Sequence, residues 1–332
     1  MSNEFGEGDI NQKLSSFDSI VAQGFSEDDK KELLQSIGPY KMEQGGKLVE
    51  GELEKSSEQI EVCRLINDLT NEIRKEYGLE TFDIPVENIH VFPLNLYFGD
   101  GSEVGGIFYP ENQNVIVRQG GSLLEFADYV CHELIHFKSH GALQVTTEGE
   151  IDFQYRSGFK SASRDGKKSY FRHIDEGLTE MISKQLIEKL KAENHTLFKR
   201  DIEETERVKQ EYRDNKEVTE FFASGDILSA HFLPENDPNR LMGFNIKYIP
   251  YAYKGQRDCI GELMDKIYKK NSDQFTDTDE IYRLFVKGKL EGNYLSIGRI
   301  IDQTYGKGTF RKLGEVSSAE LPDFENFVHE LR

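Results

Sequence analysis

The sequence predicts an α+β fold, with a small mixed sheet packed on one central helix and a mostly helical C-terminal half. Two observations predict it. Apolar residues recur at helical spacing in 56–77, 122–138 and 175–191, and again in several stretches beyond 258. Between the first three of these helices lie short β-rich or alternating runs punctuated by Pro, Gly and Asn. With 332 residues, 37% of them hydrophobic, the chain can bury a sizeable core in one large domain or two smaller ones.

Residues 1–55 read as an acidic, partly disordered N-terminal extension, with one short helical patch around Ser26 to Ile37. A regulatory or inhibitory tail is one use for such a segment. From Ser56 to Tyr77 the residues Ile60, Val62, Leu65, Ile66, Leu69 and Ile73 share a helical face that ends near Gly78. Asn88 to Phe92 reads as a strand closed by Pro93, with Leu94 to Phe98 continuing it. Gly106 to Tyr109 and Asn114 to Arg118 flank a Pro-Glu-Asn-Gln turn and predict a hairpin. Ser122 to Lys138 predicts a long helix, whose Ser122 and Glu125 stand three apart, as a capping box requires. Ile151 to Tyr155 and Lys168 to Phe171, with the turn Arg164-Asp165-Gly166 between them, predict a second hairpin inside 148–171. A helix follows over about 175–191. The remainder, 192–332, reads as a helical C-terminal subdomain, with periodicity clearest in 258–269, 278–286 and 294–305.

Charge narrows the partners. Sixty acidic residues against 41 basic ones give a formal net charge of -19, a surface that repels phosphate backbones and anionic membranes. No nucleic-acid or membrane partner is expected, and no run of apolar residues is long enough to cross a bilayer. The three cysteines, Cys63, Cys131 and Cys259, are far apart and odd in number, which suits free thiols in a reducing compartment. The N-terminus has neither a basic start nor an apolar stretch, so a cytoplasmic location is the expectation, although export without such a signal leaves no trace in sequence. The oligomeric state has no signature.

The chemistry lies in the run Val130-Cys131-His132-Glu133-Leu134-Ile135-His136-Phe137. Positions i and i+4 of a helix share a face, so His132 and His136 project side by side within reach of one ion. Glu133, beside the first ligand, is placed to hold a metal-polarised water and act as its general base. Apolar flanks suit a buried helix whose one polar stripe faces a site. His140 lies a further turn along, and three histidines at i, i+4 and i+8 are poorly placed for one tetrahedral ion.

This run resembles the active-site helix of the zincin metallopeptidases. The metzincin branch has Gly and His where this chain has Ser139 and Ala142, which excludes it. The run His173-Ile174-Asp175-Glu176-Gly177-Leu178-Thr179-Glu180 looks like the glutamate helix of the gluzincin branch. That resemblance implies a zincin-like core over 56–191, with Zn2+, one per chain, held by His132, His136 and Glu176. His173 and Asp175 are rival ligands that rank below Glu176. It also implies that Glu180, one turn beyond Glu176, orients a ligand histidine. Gly177 would let the backbone pass close to the active-site helix. Gluzincins use a downstream Tyr or His to stabilise the oxyanion; here Tyr253 is the first candidate, then Tyr251, then His231. Asn114 to Arg118 is the candidate edge strand for extended substrate. The gap between His136 and Glu176 is longer than in compact gluzincins, and the second hairpin accounts for it. The Gly-x-Met-Glu-Asn run of gluzincin aminopeptidases is missing, which weighs against an exopeptidase.

The expectation is therefore hydrolysis of a peptide or protein substrate, with Glu133 and Tyr253 as catalytic residues. Two alternatives stand beside it: a non-catalytic zinc-binding interaction module of the same shape, and a zinc hydrolase acting on a non-peptide substrate.

Overall fold

The structure, a computed structural model, describes residues 15–47, 49–93, 104–233 and 245–332. The described chain is α+β. It opens with β1 (Phe17–Val21), α1 (Glu27–Gly45) and α2 (Ser57–Glu76). Ser26 and Ser56 start the two helices with complete capping boxes, closed by Asp29 and Gln59. β2 (Ile89–Phe92), β3 (Gly106–Tyr109) and β4 (Asn114–Arg118) follow, then α3 (Leu123–Lys138). Next come β5 (Gly141–Val145), β6 (Ile151–Ser157), β7 (Lys160–Ala162), β8 (Ser169–Tyr170) and α4 (Arg172–Ala192). The C-terminal half carries α5 (Lys199–Glu211), α6 (Lys216–Ala223), β9 (Ile227–Phe232), β10 (Ile246–Pro250), α7 (Lys254–Lys270), α8 (Thr278–Glu291), α9 (Leu295–Tyr305), α10 (Thr309–Val316) and α11 (Leu321–Glu330).

The central helix is α3. Leu124, Phe126, Ala127, Val130, Cys131, Leu134, Ile135 and Phe137 are all buried, so apolar contact surrounds it on nearly every side. It is covered by α2, by α4 and by a three-stranded sheet of order β2-β4-β3. β4 pairs parallel with β2 and antiparallel with β3. This corrects one expectation. Asn114–Arg118 is the middle strand; the outer ones are β2, which Leu53 bridges at Val91, and β3, which pairs with no further strand among the described residues. The continuation expected over Leu94 to Phe98 lies outside the described residues.

Two further expectations change. The second hairpin is a meander: β5 to β8 run antiparallel in sequence, and the turn at 164–166 joins β7 to β8. β1 completes that sheet by pairing parallel with β5. Residues 15–47 and 49–55 are thus not a loose extension. Phe17 and Ile20 are buried, and Ser16 exchanges two hydrogen bonds with Gln113, from its amide at 2.8 Å and to its hydroxyl at 2.6 Å. The C-terminal half is mostly helical as expected, with the antiparallel pair β9–β10 added. One core cluster includes residues from Val62 to Val328, on both sides of position 191. A smaller cluster of Val208, Val218, Ile227, Ala230, Ile246 and Tyr248 lies under β9 and β10.

Candidate metal centre

Ser122 caps α3 by accepting the Glu125 amide at 3.1 Å. The Glu125 carboxylate does not return to Ser122 as a capping box would have it. It accepts instead from the Gly121 amide and the Tyr129 hydroxyl. From this fixed start, Asp128, His132 and His136 succeed one another on a single stripe of the helix that faces α4.

His132 Nε2 and His136 Nε2 stand 3.2 Å apart. Glu176 Oε2, from α4, is 3.2 Å from the second and 3.4 Å from the first. Ligands about 2.1 Å from a tetrahedral zinc lie about 3.4 Å from each other, so the triangle has the size such an ion needs. These three residues form a group that could hold a metal ion. The outer ring nitrogens are supported as well. His132 Nδ1 lies 2.8 Å from Glu180 Oε2, whose other oxygen accepts the Ala252 amide at 3.0 Å. His136 Nδ1 stands 3.2 Å from Asp175 Oδ2, a buried oxygen with no other partner among the described residues. A ring that gives its Nδ1 hydrogen to a carboxylate presents a lone pair at Nε2, the form a metal takes.

Electrostatics agree with geometry. Burial alone would push both histidines down, but Glu176, with Glu180 on one side and Asp175 on the other, pulls them above their ordinary range. Burial would raise Glu176, yet the two histidines hold its carboxyl well below the usual range. A field of this sign favours a cation at its centre. The donors present therefore fit zinc in type, spacing and support.

Glu133 turns to the other side of His132, toward β3. Burial raises its carboxyl, the two histidines oppose that, and the Phe108 amide donates to it. Tyr253 lies at the mouth, 39% exposed, its ring stacked on that of His132 at 5.2 Å and 15°. Burial of its hydroxyl end and the neighbouring Glu176, Glu133 and Glu180 push the phenol up. Tyr253 has φ 52°, a left-handed conformation uncommon for a bulky residue, just where the chain enters α7. A cavity of about 320 Å³ opens beside the cluster, lined among others by Gly105, Tyr129, His132, Glu133, Ala252 and Tyr253.

The other candidates lie apart. Tyr251 is buried and donates to Glu188 at 2.6 Å. His231 is on β9, where burial lowers it beside Glu204 and Lys247. His140 pairs with Asp18 at 3.4 Å. His173 meets the Ala319 carbonyl at 2.9 Å and stacks on Phe324. Asp175 is a support of His136 rather than a ligand. Gly177 does admit a close neighbour, but a Cβ there would meet Ile260 at 2.6 Å and Gln256 at 2.9 Å, so the neighbour is α7 and not α3. Sequence reasoning missed Asp128, which accepts from Ser183 at 3.2 Å, and Lys289, which binds Asp175 at 2.6 Å. Asp128 had a signal, one turn before His132. Lys289 had none.

No protein-family model, curated protein or solved structure matches the chain. Among the described residues no helix is long and apolar enough to cross a membrane.

Proposed function

We propose that this chain is a zinc-dependent metallopeptidase of the gluzincin type, its zincin-like core made of α2, β2 to β4, α3 and α4. The observation that carries the reading is the triangle of His132 Nε2, His136 Nε2 and Glu176 Oε2, with sides of 3.2–3.4 Å, beside the buried Glu133. One zinc ion, held by those three side chains, supplies Lewis-acid polarisation of water and of the scissile carbonyl. Glu133 takes the proton of the attacking water and returns it to the leaving amine. Glu180 and Asp175 hold the two imidazoles in register. Tyr253 donates its hydroxyl to the oxygen that gains charge in the transition state. The open edge of β3 lies next to Glu133 and offers main-chain pairing to an extended substrate, which favours a peptide over other hydrolysable bonds.

Metal analysis tests the reading first: about one zinc per chain, lost in His132→Ala. Glu133→Gln should keep the zinc and slow cleavage of a peptide library by about 10²–10⁴-fold. Cleavage by that variant at the wild-type rate would overturn the mechanism. Zinc-loaded wild type that cleaves no peptide would favour a non-peptide substrate or an interaction module.

A further inference from the structure

Lys289 sits on α8, more than a hundred residues from the histidines, and its side chain is fully buried. Its ammonium group meets Asp175 Oδ1 at 2.6 Å. The Phe159 amide donates to the same oxygen at 2.8 Å. The other oxygen of Asp175 is the one that faces His136 Nδ1. No side chain intervenes, because the turn between β6 and β7 passes here as glycine. Gly158 has φ 55°, and a Cβ on it would lie 2.4 Å from Asp175 Oδ1 and 2.9 Å from Lys289 Nζ. The Lys289 carbonyl also accepts the His140 amide at 3.2 Å, just past the end of α3. A buried ion pair is a poor device for stability alone, since an apolar pair of similar volume commonly does as well or better. Here the pair points its free carboxylate oxygen at a ligand histidine.

We propose that Lys289 is a positioning residue of the metal centre, fixing Asp175 so that Asp175 orients His136; the inference rests on the metal-site reading above. Lys289 locks one oxygen of Asp175 in a direct ion pair, which sets the plane of the carboxylate and aims the second oxygen at the imidazole. α8 thereby becomes part of the site from outside the two-helix motif.

The test measures zinc affinity by chelator competition and the visible absorption of the cobalt-substituted protein, in wild type, Lys289→Met and Lys289→Gln. Expected are a loss of about 10–100-fold in zinc affinity and a shifted cobalt spectrum in Lys289→Met. Affinity within about twofold of wild type with an unchanged spectrum would mean that the lysine only fills space. If Lys289→Met fails to fold, Lys289→Gln, which breaks the ion pair but keeps a hydrogen-bond donor beside an intact Asp175, decides. Wild-type affinity and spectrum there overturn the proposal, and weakened binding with a shifted spectrum upholds it. Wild type that takes up no zinc would sink the metal-site reading itself, whereas normal uptake in wild type and variant alike would sink this inference alone.

Discussion

Lys138 closes α3 with its ammonium end inside the protein, and its chemistry shows how one residue's environment sets its charge. Its Nζ donates to the Asn67 carbonyl and to Asn71 Oδ1, each at 2.8 Å. A neutral amine has two hydrogens and here two acceptors. Burial pushes Lys138 down to about 7, with Asp83 opposing and Arg74 adding to the shift. The unfolded chain holds this proton up to about pH 10.4. Between pH 7 and 10 the unfolded state therefore binds a proton that the folded state lacks, and this residue's contribution to stability rises with pH, by at most about 1.4 kcal/mol per pH unit. Urea unfolding of wild type and Lys138→Met at pH 7 and pH 9.5 checks it: the wild type should gain on the variant at the higher pH. At this same scale the site was legible in part. His132 and His136, with Glu133 beside the first, and Glu176 and Glu180 were readable because each pair repeats the helical period. Tyr253 was readable only as one of three tyrosines, since a loop carries no period. Lys289 was not readable, because nothing local distinguishes a buried lysine that meets an aspartate from another helix from an ordinary exposed one.

At the scale of elements, the site depends on how closely α4 approaches α7. Ile260 and Gln256 of α7 press on α4 where residue 177 has no side chain. Gly177→Val should force the helices apart and destabilise the fold by about 1–3 kcal/mol. It should also weaken zinc binding, because Glu176 and Glu180 flank the contact. A urea midpoint and a zinc affinity both equal to wild type would show that the approach is slack. The helices α2, α3, α4, α7, α8 and α9 were legible from apolar spacing. The sheets were less so. β7 is only three residues long, and β5 runs Gly-Ala-Leu-Gln-Val without alternation, so the meander read as one hairpin. That β2 pairs parallel with β4, on the side away from β3, is a contact between strands not adjacent in the chain, which no local pattern encodes.

At the scale of the molecule, the N-terminal segment belongs to the body. β1 covers the edge of β5 from more than a hundred residues away, and Phe17 and Ile20 are buried there. Removing residues 1–24 should cost about 3 kcal/mol or more, by loss of those two side chains and of the strand pairing. An unchanged urea midpoint in the truncated chain would refute the packing. The polar, acidic composition of the segment pointed to an extension because a single strand with three apolar residues leaves almost no mark on average hydropathy.

The sequence by itself determined six of the helices, and it placed His132 and His136 one turn apart beside Glu133 on one helix and Glu176 and Glu180 one turn apart on another, since all of these follow from the helical period. Only the tertiary structure decided which strand is the open edge, that β1 joins the second sheet, that α7 and not α3 packs on Gly177, and that Lys289 reaches Asp175. Each of these is a contact between residues far apart in the chain, fixed by complementary shape and charge in three dimensions rather than by spacing along one.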